Sequence, residues 1–242
     1  MHLNNLLAAI GDRPVSHIFI THTHADHSPL AAVLKQRTEA KIVGAAPHHA
    51  ARALHLGEVN ALDAAADRDY APDQVLGDQD TVDGDGWSIQ AVSTPGHTAN
   101  HLAFSLSGTD TLFSGDHVMA WSTTIVAPPD GSMSAYMASL DKMLAREDAL
   151  YLPGHGGEIS HIAPFLRGLK AHRKMRERAV VERLKKGDRT IPQMVKEIYR
   201  DTDVRLHGAA GLSVFAHLED LIAQGRASCE GPPSLTAEYF AL

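Results

Sequence analysis

The chain has 242 residues, 44% of them hydrophobic, a formal net charge of −7 and a single cysteine, Cys229. That length suits one domain of ordinary size plus a small appendage, with enough apolar residues for a core. One cysteine excludes a disulfide framework and a Cys-based zinc site, and no segment approaches the roughly 18 apolar residues of a membrane span, so a reducing, cytoplasmic setting is the expectation.

In chain order, "LNNLLAAI" reads as a short helix without the basic flank of a leader, and "VSHIFI" as a buried strand. "SPLAAVLKQR" reads as a helix opened by Ser28 with Pro29 at its first position, and "AKIVGAA" as another strand. Residues 46–74 are irregular and rich in Ala, Asp and His. "QVLGDQDTVDGDGWSIQAVSTPG" then reads as strand, turn, strand, its Asp-Gly pairs marking tight turns, and "HLAFSLSGTDTLFSGD" repeats the layout. "SMSAYMASLDKMLARED" is an amphipathic helix with Met133, Met137, Leu140 and Leu144 on one side, and "ALYLPGHGG" is a strand entering a Gly-rich loop.

Beyond Ile162 the composition turns helical, which divides the chain into residues 1–162 and 163–242. A long helix is expected from about 163 to 186, two more in "IPQMVKEIYR" and "AAGLSVFAHLEDLIAQG", and a two-stranded wing in "RASCEGPPSLTAEYF". Residues 167–189 hold ten Lys/Arg against three Asp/Glu, so a generally acidic protein carries one basic helix. That helix is either a solvated face with helical Arg/Glu pairs or a track for an anionic partner such as RNA.

The chemistry concentrates at strand ends. "ITHTHADH" crowds His22, His24, Asp26 and His27 behind an apolar strand, and "STPGHT", "FSGDHV" and "LPGHGG" place His97, Asp116 and His155 behind later ones. Loops at strand ends are where a rigid scaffold displays functional groups. His22 and His24, two apart on an extended segment, project to one side and can share an ion. Asp26 and His27, where the chain turns into a helix, can reach a second. Imidazole and carboxylate without thiolate suit zinc, and also manganese or iron.

The spacing H-x-H-x-D-H in "HTHADH", with "TPGHT", "SGDH" and "PGHG" after it, resembles the metallo-beta-lactamase superfamily. The resemblance implies an α/β (α+β) αββα sandwich with a dinuclear zinc site at one edge. His22, His24 and His97 would bind the first ion, Asp26, His27 and His155 the second, and Asp116 would bridge them. It implies a metal-dependent hydrolase with a bridging hydroxide as nucleophile and Asp26 as the catalytic group that orients it and carries its proton. An aspartate at position 116 is untypical of true beta-lactamases and typical of the superfamily's phosphodiesterases, lactonases and thioesterases. Histidine at position 24 also differs from the glutamate of the flavodiiron branch.

Further along, "TPGHTANHLAFSL", "AHRKMRER" and "LHGAAGLSVFAHLEDLIAQGR" look like the branch of the mitochondrial beta-lactamase-like endoribonuclease, which carries a winged-helix-like C-terminal domain. A single-strand-preferring endoribonuclease is therefore one expectation, and a thioesterase, lactonase or other hydrolase of a small-molecule ester is the second. A third, of another class, is a non-catalytic protein stabilised by metal that binds RNA. An iron-dependent sulfur dioxygenase shares the "THxHADH" pattern and is a fourth.

The family normally sets several strands before its H-x-H-x-D-H segment, whereas 21 residues precede His22 here. The expectation is a first sheet that lacks N-terminal strands, with exposed strand edges, low stability or pairing between chains. For substrate contacts, His117 either reaches the cleft or packs beside it. Trp121 either lines the cleft mouth or packs in the core, and His172 either faces the cleft from the second domain or lies on a solvated helix. His48, His49 and His55 are expected at the surface or packed behind the ligands.

Overall fold

A computed structural model of the chain describes residues 2–56 and 58–242. The strands β1 (His17–Ile20), β2 (Lys41–Gly44) and β3 (Gln74–Val75) form a parallel sheet in the order β1-β2-β3. A second sheet takes β4 (Thr81–Gly84), β5 (Trp87–Ser93), β6 (Leu102–Leu106), β7 (Thr111–Gly115) and β8 (Leu150–Pro153) in chain order. Its pairs are antiparallel up to β7, and β8 lies parallel to β7.

The period-two burial of these strands builds the layers. Trp87, Ile89 and Ala91 of β5 pack toward Phe19 and Val43 of the first sheet. Val92, on the opposite side of β5, packs with Met133, Tyr136 and Leu140 of α3 (Met133–Leu144). On the far side of the first sheet Ile18, Ile20 and Ile42 meet Ala31 of α2 (Leu30–Thr38). The order is helix, sheet, sheet, helix: the αββα sandwich expected from the sequence. Leu112, Leu140 and Met143 have no solvent exposure, and burying each such apolar side chain stabilises the fold by about 1.5–3 kcal/mol.

Two local expectations are corrected. Gln74 and Val75 do not open the hairpin; they pair with β2, because the Asp73 carboxylate accepts from Ile42 N at 2.8 Å and pins the chain beside the first sheet. The hairpin is β4–β5, closed at Asp85-Gly86 with Gly86 at φ +75°. Ser28 does not cap α2 with its side chain: its hydroxyl donates to Asp67 Oδ2 at 2.6 Å, a charge-assisted bond that wins over a backbone amide.

The C-terminal region is helical, as read from the sequence. It comprises α4 (Ile162–Lys185), α5 (Ile191–Ile198), opened by a Thr190/Gln193 capping box, and α6 (His207–Ala223). An antiparallel ribbon of β9 (Ala227–Cys229) and β10 (Tyr239–Ala241) follows. Its core gathers Val180, Leu184, Met194, Phe215, Leu218 and Tyr239. Helix α4 serves both cores, since its first half places Ile162, Leu166 and Leu169 against the second sheet.

The N-terminal helix α1 (His2–Ile10) has no buried residue, and β1 is an edge strand of its sheet. No helix of the described residues is long and apolar enough to cross a membrane. Strands β5, β7 and β8 run in one direction, so their C-terminal ends lie together. The end of β1 is tied to them by the bond from Leu102 N to Thr21 O, 2.7 Å.

Candidate metal centre

Four loops leave that end of the sandwich, and each carries one part of the cluster foreseen from spacing. The loop after β1 brings His22, His24, Asp26 and His27, and that after β5 brings His97. Those after β7 and β8 bring Asp116 and His155. Three overlapping triads form, His22/His24/His97, His22/His27/Asp116 and Asp26/His27/His155, each with ligand atoms within 4.8 Å of one another. Asp116 lies between the outer two, 3.8 Å from His97 Nε2, 3.4 Å from His27 Nε2 and 3.4 Å from His155 Nε2. Asp26 Oδ2 is 3.3 Å from His155 Nε2 and 3.7 Å from His27 Nε2.

Close approach needs two glycines. A Cβ on Gly154 would stand 2.5 Å from Asp116 Oδ1 and 2.9 Å from His27 Cε1, and one on Gly115, at φ +52°, would meet His101 Nε2 at 2.6 Å.

The donor set fits divalent ions. His22 Nε2 and Asp116 Oδ1 are buried without a hydrogen-bond partner, an arrangement that costs free energy unless something else binds them. Ring nitrogens also face each other directly, His97 Nε2 with His24 Nδ1 at 2.9 Å and His27 Nε2 with His155 Nε2 at 3.2 Å. Ligands of a tetrahedral ion at about 2.0–2.1 Å sit roughly 3.4 Å apart. The His27–His155 contact is close to that separation, and the His97–His24 contact is about 0.5 Å shorter.

Electrostatics favours lone pairs over protons on the inner triad. Burial, reinforced by His97, pushes His22 well below the ordinary histidine value and His24 to about 4; burial also lowers His97. For Asp116 burial works the other way, and His27 with the other imidazoles outweighs it, so its carboxyl is held below the ordinary value. His27 is raised: burial opposes, but Asp116 and Asp26 favour its proton. Across the cage carboxylate and imidazole stabilise each other.

Behind the ligands stand residues that spacing did not reveal. His97 Nδ1 donates to Ile125 O at 2.7 Å and lies 3.0 Å from Thr124 Oγ1, which leaves Nε2 as its lone-pair nitrogen. Thr21 Oγ1 does the same for His22 Nδ1 at 3.0 Å. His101, fully buried, accepts from Asp116 N at 3.0 Å and bonds Thr94 Oγ1 at 2.8 Å, fixing the backbone of the central carboxylate. Its signal was a second histidine four residues after His97 at a strand start. His48, with a side chain 3% exposed, joins Thr23 Oγ1 at 3.1 Å to Asp130 Oδ1 at 3.5 Å. It packs behind the ligands, whereas His49 is exposed.

The substrate contacts divide. Trp121 is 73% exposed and stacks on the His155 ring, 6.0 Å between centroids and 6° between planes, at the mouth of a 370 Å³ cleft. His117 is corrected: it has no solvent exposure, its ring packs against Tyr136 at 4.8 Å, and it does not line the cleft. Its place two residues past the end of β7 turns it into the core while Asp116 turns out. His172 is corrected too. It accepts from Arg176 Nε at 3.3 Å, half-buried on α4, away from the cleft lining.

The sequence profile described as "Metallo-beta-lactamase superfamily" matches residues 4–155, and that of the "Beta-lactamase associated winged helix domain" matches residues 190–232. A beta-lactamase-like protein 2 homolog of Caenorhabditis elegans is 26% identical over 226 residues, covering 92% of this chain and 70% of that protein. An atrochrysone carboxyl ACP thioesterase of Claviceps purpurea is 25% identical over 200 residues, covering 78% of this chain and 55% of its own length. The crystal structure of a metallo-beta-lactamase family protein from Thermus thermophilus superposes with a TM-score of 0.78 at 22% identity. It covers 99% of this chain and 85% of that one, a likeness of fold.

Proposed function

Because the chain belongs to the metallo-beta-lactamase superfamily, a family of metal-dependent hydrolases, we propose that it hydrolyses a small acyl ester or thioester with two divalent ions, zinc first among them. In this reading His22, His24 and His97 hold one ion, Asp26, His27 and His155 the other, and Asp116 reaches both. Ions in those places supply Lewis acidity, polarising the substrate's carbonyl oxygen and acidifying water. The chain's own groups do the rest. Asp26, 62% exposed by its side chain, is held through Oδ2 by His155 and His27 and keeps Oδ1 for orienting the attacking water and carrying its proton. Trp121 offers a flat apolar face at the entrance.

The observation that carries the substrate class is the lining of the cleft. Leu62, Ala65, Met119, Trp121 and Ile125 line it together with Ser122, Thr123, Thr124 and the cage residues, and among the described residues no lysine or arginine lines it. A phosphate backbone is bound chiefly through cations; an acyl group needs none. The thioesterase among the relatives supports the same class.

A second reading, single-stranded RNA, has its own support. Arg167, Lys174, Arg178 and Lys185 are exposed on α4 at spacings of 7, 4 and 7 residues, along one stripe. The division into a catalytic domain, 1–162, and a winged-helix module, 163–242, belongs to this proposal, as does a reducing, cytoplasmic setting for the free Cys229.

The test assays the zinc-reconstituted protein against an acyl thioester and against end-labelled single-stranded RNA between about 50 and 200 mM salt. Thioester turnover that is flat in salt, with RNA intact, is the expected result. RNA cleavage that falls steeply with salt, with the thioester untouched, overturns it in favour of the second reading.

A further inference from the structure

We propose that Arg173, from the helical C-terminal region, is a positioning residue of the metal centre: it anchors the Thr124–Ile125 segment that orients His97. The inference rests on the metal reading above.

Arg173 is 3% exposed, on the α4 face that otherwise carries Leu166, Leu169, Val180 and Leu184. Among the described residues no carboxylate pairs with it. Nη2 donates to the Thr124 carbonyl, Nη1 donates to Ser213 Oγ on α6 at 3.2 Å, and the guanidinium lies 5.1 Å from the centre of the Tyr136 ring. Nε has no partner. Burying a cation without an anion is costly, and a leucine would pack this face at less expense. What the guanidinium adds, and a leucine lacks, is a bridge from the Thr124 carbonyl to Ser213 of α6.

The Thr124 end of that bridge falls on the segment that needs it. Residues 123–127 belong to no helix or strand, so no ladder of backbone bonds holds them. Yet both partners of His97 Nδ1 come from here, the Ile125 carbonyl at 2.7 Å and Thr124 Oγ1 at 3.0 Å. If this segment shifts, the His97 ring turns with it and Nε2 leaves the point it shares with His24. The metal centre therefore continues, through Thr124 and Arg173, into α4 and α6. Helices that the sequence assigns to another module complete the support of a metal ligand.

The experiment titrates apoprotein with Co(II), followed by visible absorption and calorimetry, for the parent, Arg173→Met and Arg173→Lys, with circular dichroism and melting of each apoprotein. The parent is expected to bind two ions. In Arg173→Met the tighter event should weaken by about 10–100-fold with altered absorption bands, while the weaker event stays within about threefold. Arg173→Lys, which keeps the charge without the fork, should recover part of the loss. Two affinities equal to the parent's in folded Arg173→Met overturn the inference. So does an equal fall in both accompanied by a lower melting temperature, the mark of a general structural role. Should Arg173→Met fail to fold, Arg173→Lys and Ser213→Ala decide, with selective weakening of about 3–10-fold supporting the inference and parent affinities overturning it. A parent that binds no Co(II) would overturn the metal reading itself.

Discussion

The two halves of the proposed metal cage are built differently. His22, His24 and His97 are at most 8% exposed, and the outward-facing Nδ1 atoms of His22 and His97 are each tied to a hydroxyl or carbonyl behind them. Asp26 and His155 have side chains 62% and 31% exposed, and the polar contacts of those side chains, among the described residues, run to other members of the cage. A ligand whose ring is locked before the ion arrives loses little entropy on binding, whereas a mobile one must be ordered at that moment. The inner position should therefore be the tighter and more rigid, and the outer one the place where ion, water and substrate exchange.

The strongest break of that contrast comes from deleting one ligand on each side. His97→Ala should lower turnover by about a thousandfold or more, and His155→Ala by about a hundredfold, with circular dichroism unchanged in both. Equal losses would erase the distinction. Asp26→Ala belongs with the outer set and should reduce kcat while the tighter Co(II) affinity stays at the parent's value. Chelation gives the next largest effect: during dialysis against a competing chelator, metal should leave in two steps, the first ion about tenfold more easily than the second, and the melting temperature should fall mainly with the second. A single-step release of both ions would show one coupled site.

The smallest effect separates ligand histidines from one that is merely buried. His217 on α6 is 1% exposed with neither ring nitrogen bonded, and burial, helped by Arg173, lowers it to about 3. Its folded value lies below its unfolded one, so the unfolded chain binds the extra proton. The stability it contributes is present above about pH 6.5 and is lost as pH falls toward 3. Urea melts of the metal-free protein should show a shallower decline between pH 6.5 and 4 in His217→Leu than in the parent. Identical slopes would mean that His217 reaches solvent.

Much of the site was legible because a metal cage is written in a short local code. Four of its seven residues lie from His22 to His27, and each of the others follows a short apolar run that reads as a strand. The supporting residues were not legible. Ile125 is 28 positions from His97, and it acts through a carbonyl that every residue possesses. Arg173 looked like one more charge on a basic helix, and His117 like a neighbour of the site, because sequence adjacency to Asp116 does not show which way a turning chain points. The same limit explains Gln74 and Val75: their composition suits a strand, and only the Asp73 carboxylate chose the sheet.

By itself the sequence determined the class of fold, the alternation of strands and helices, the helical C-terminal region and the candidate donors that the fold brings together, since these depend on periodicity and side-chain chemistry over a few neighbouring residues. Tertiary structure alone decided which faces of those elements meet. It buried Arg173 against Thr124, withdrew His117 from the cleft, set apolar residues beside the cage in the cleft lining, and buried one triad while leaving part of the other open. Those choices depend on contacts between residues far apart in the chain, where packing, desolvation and hydrogen-bond geometry have no local signature.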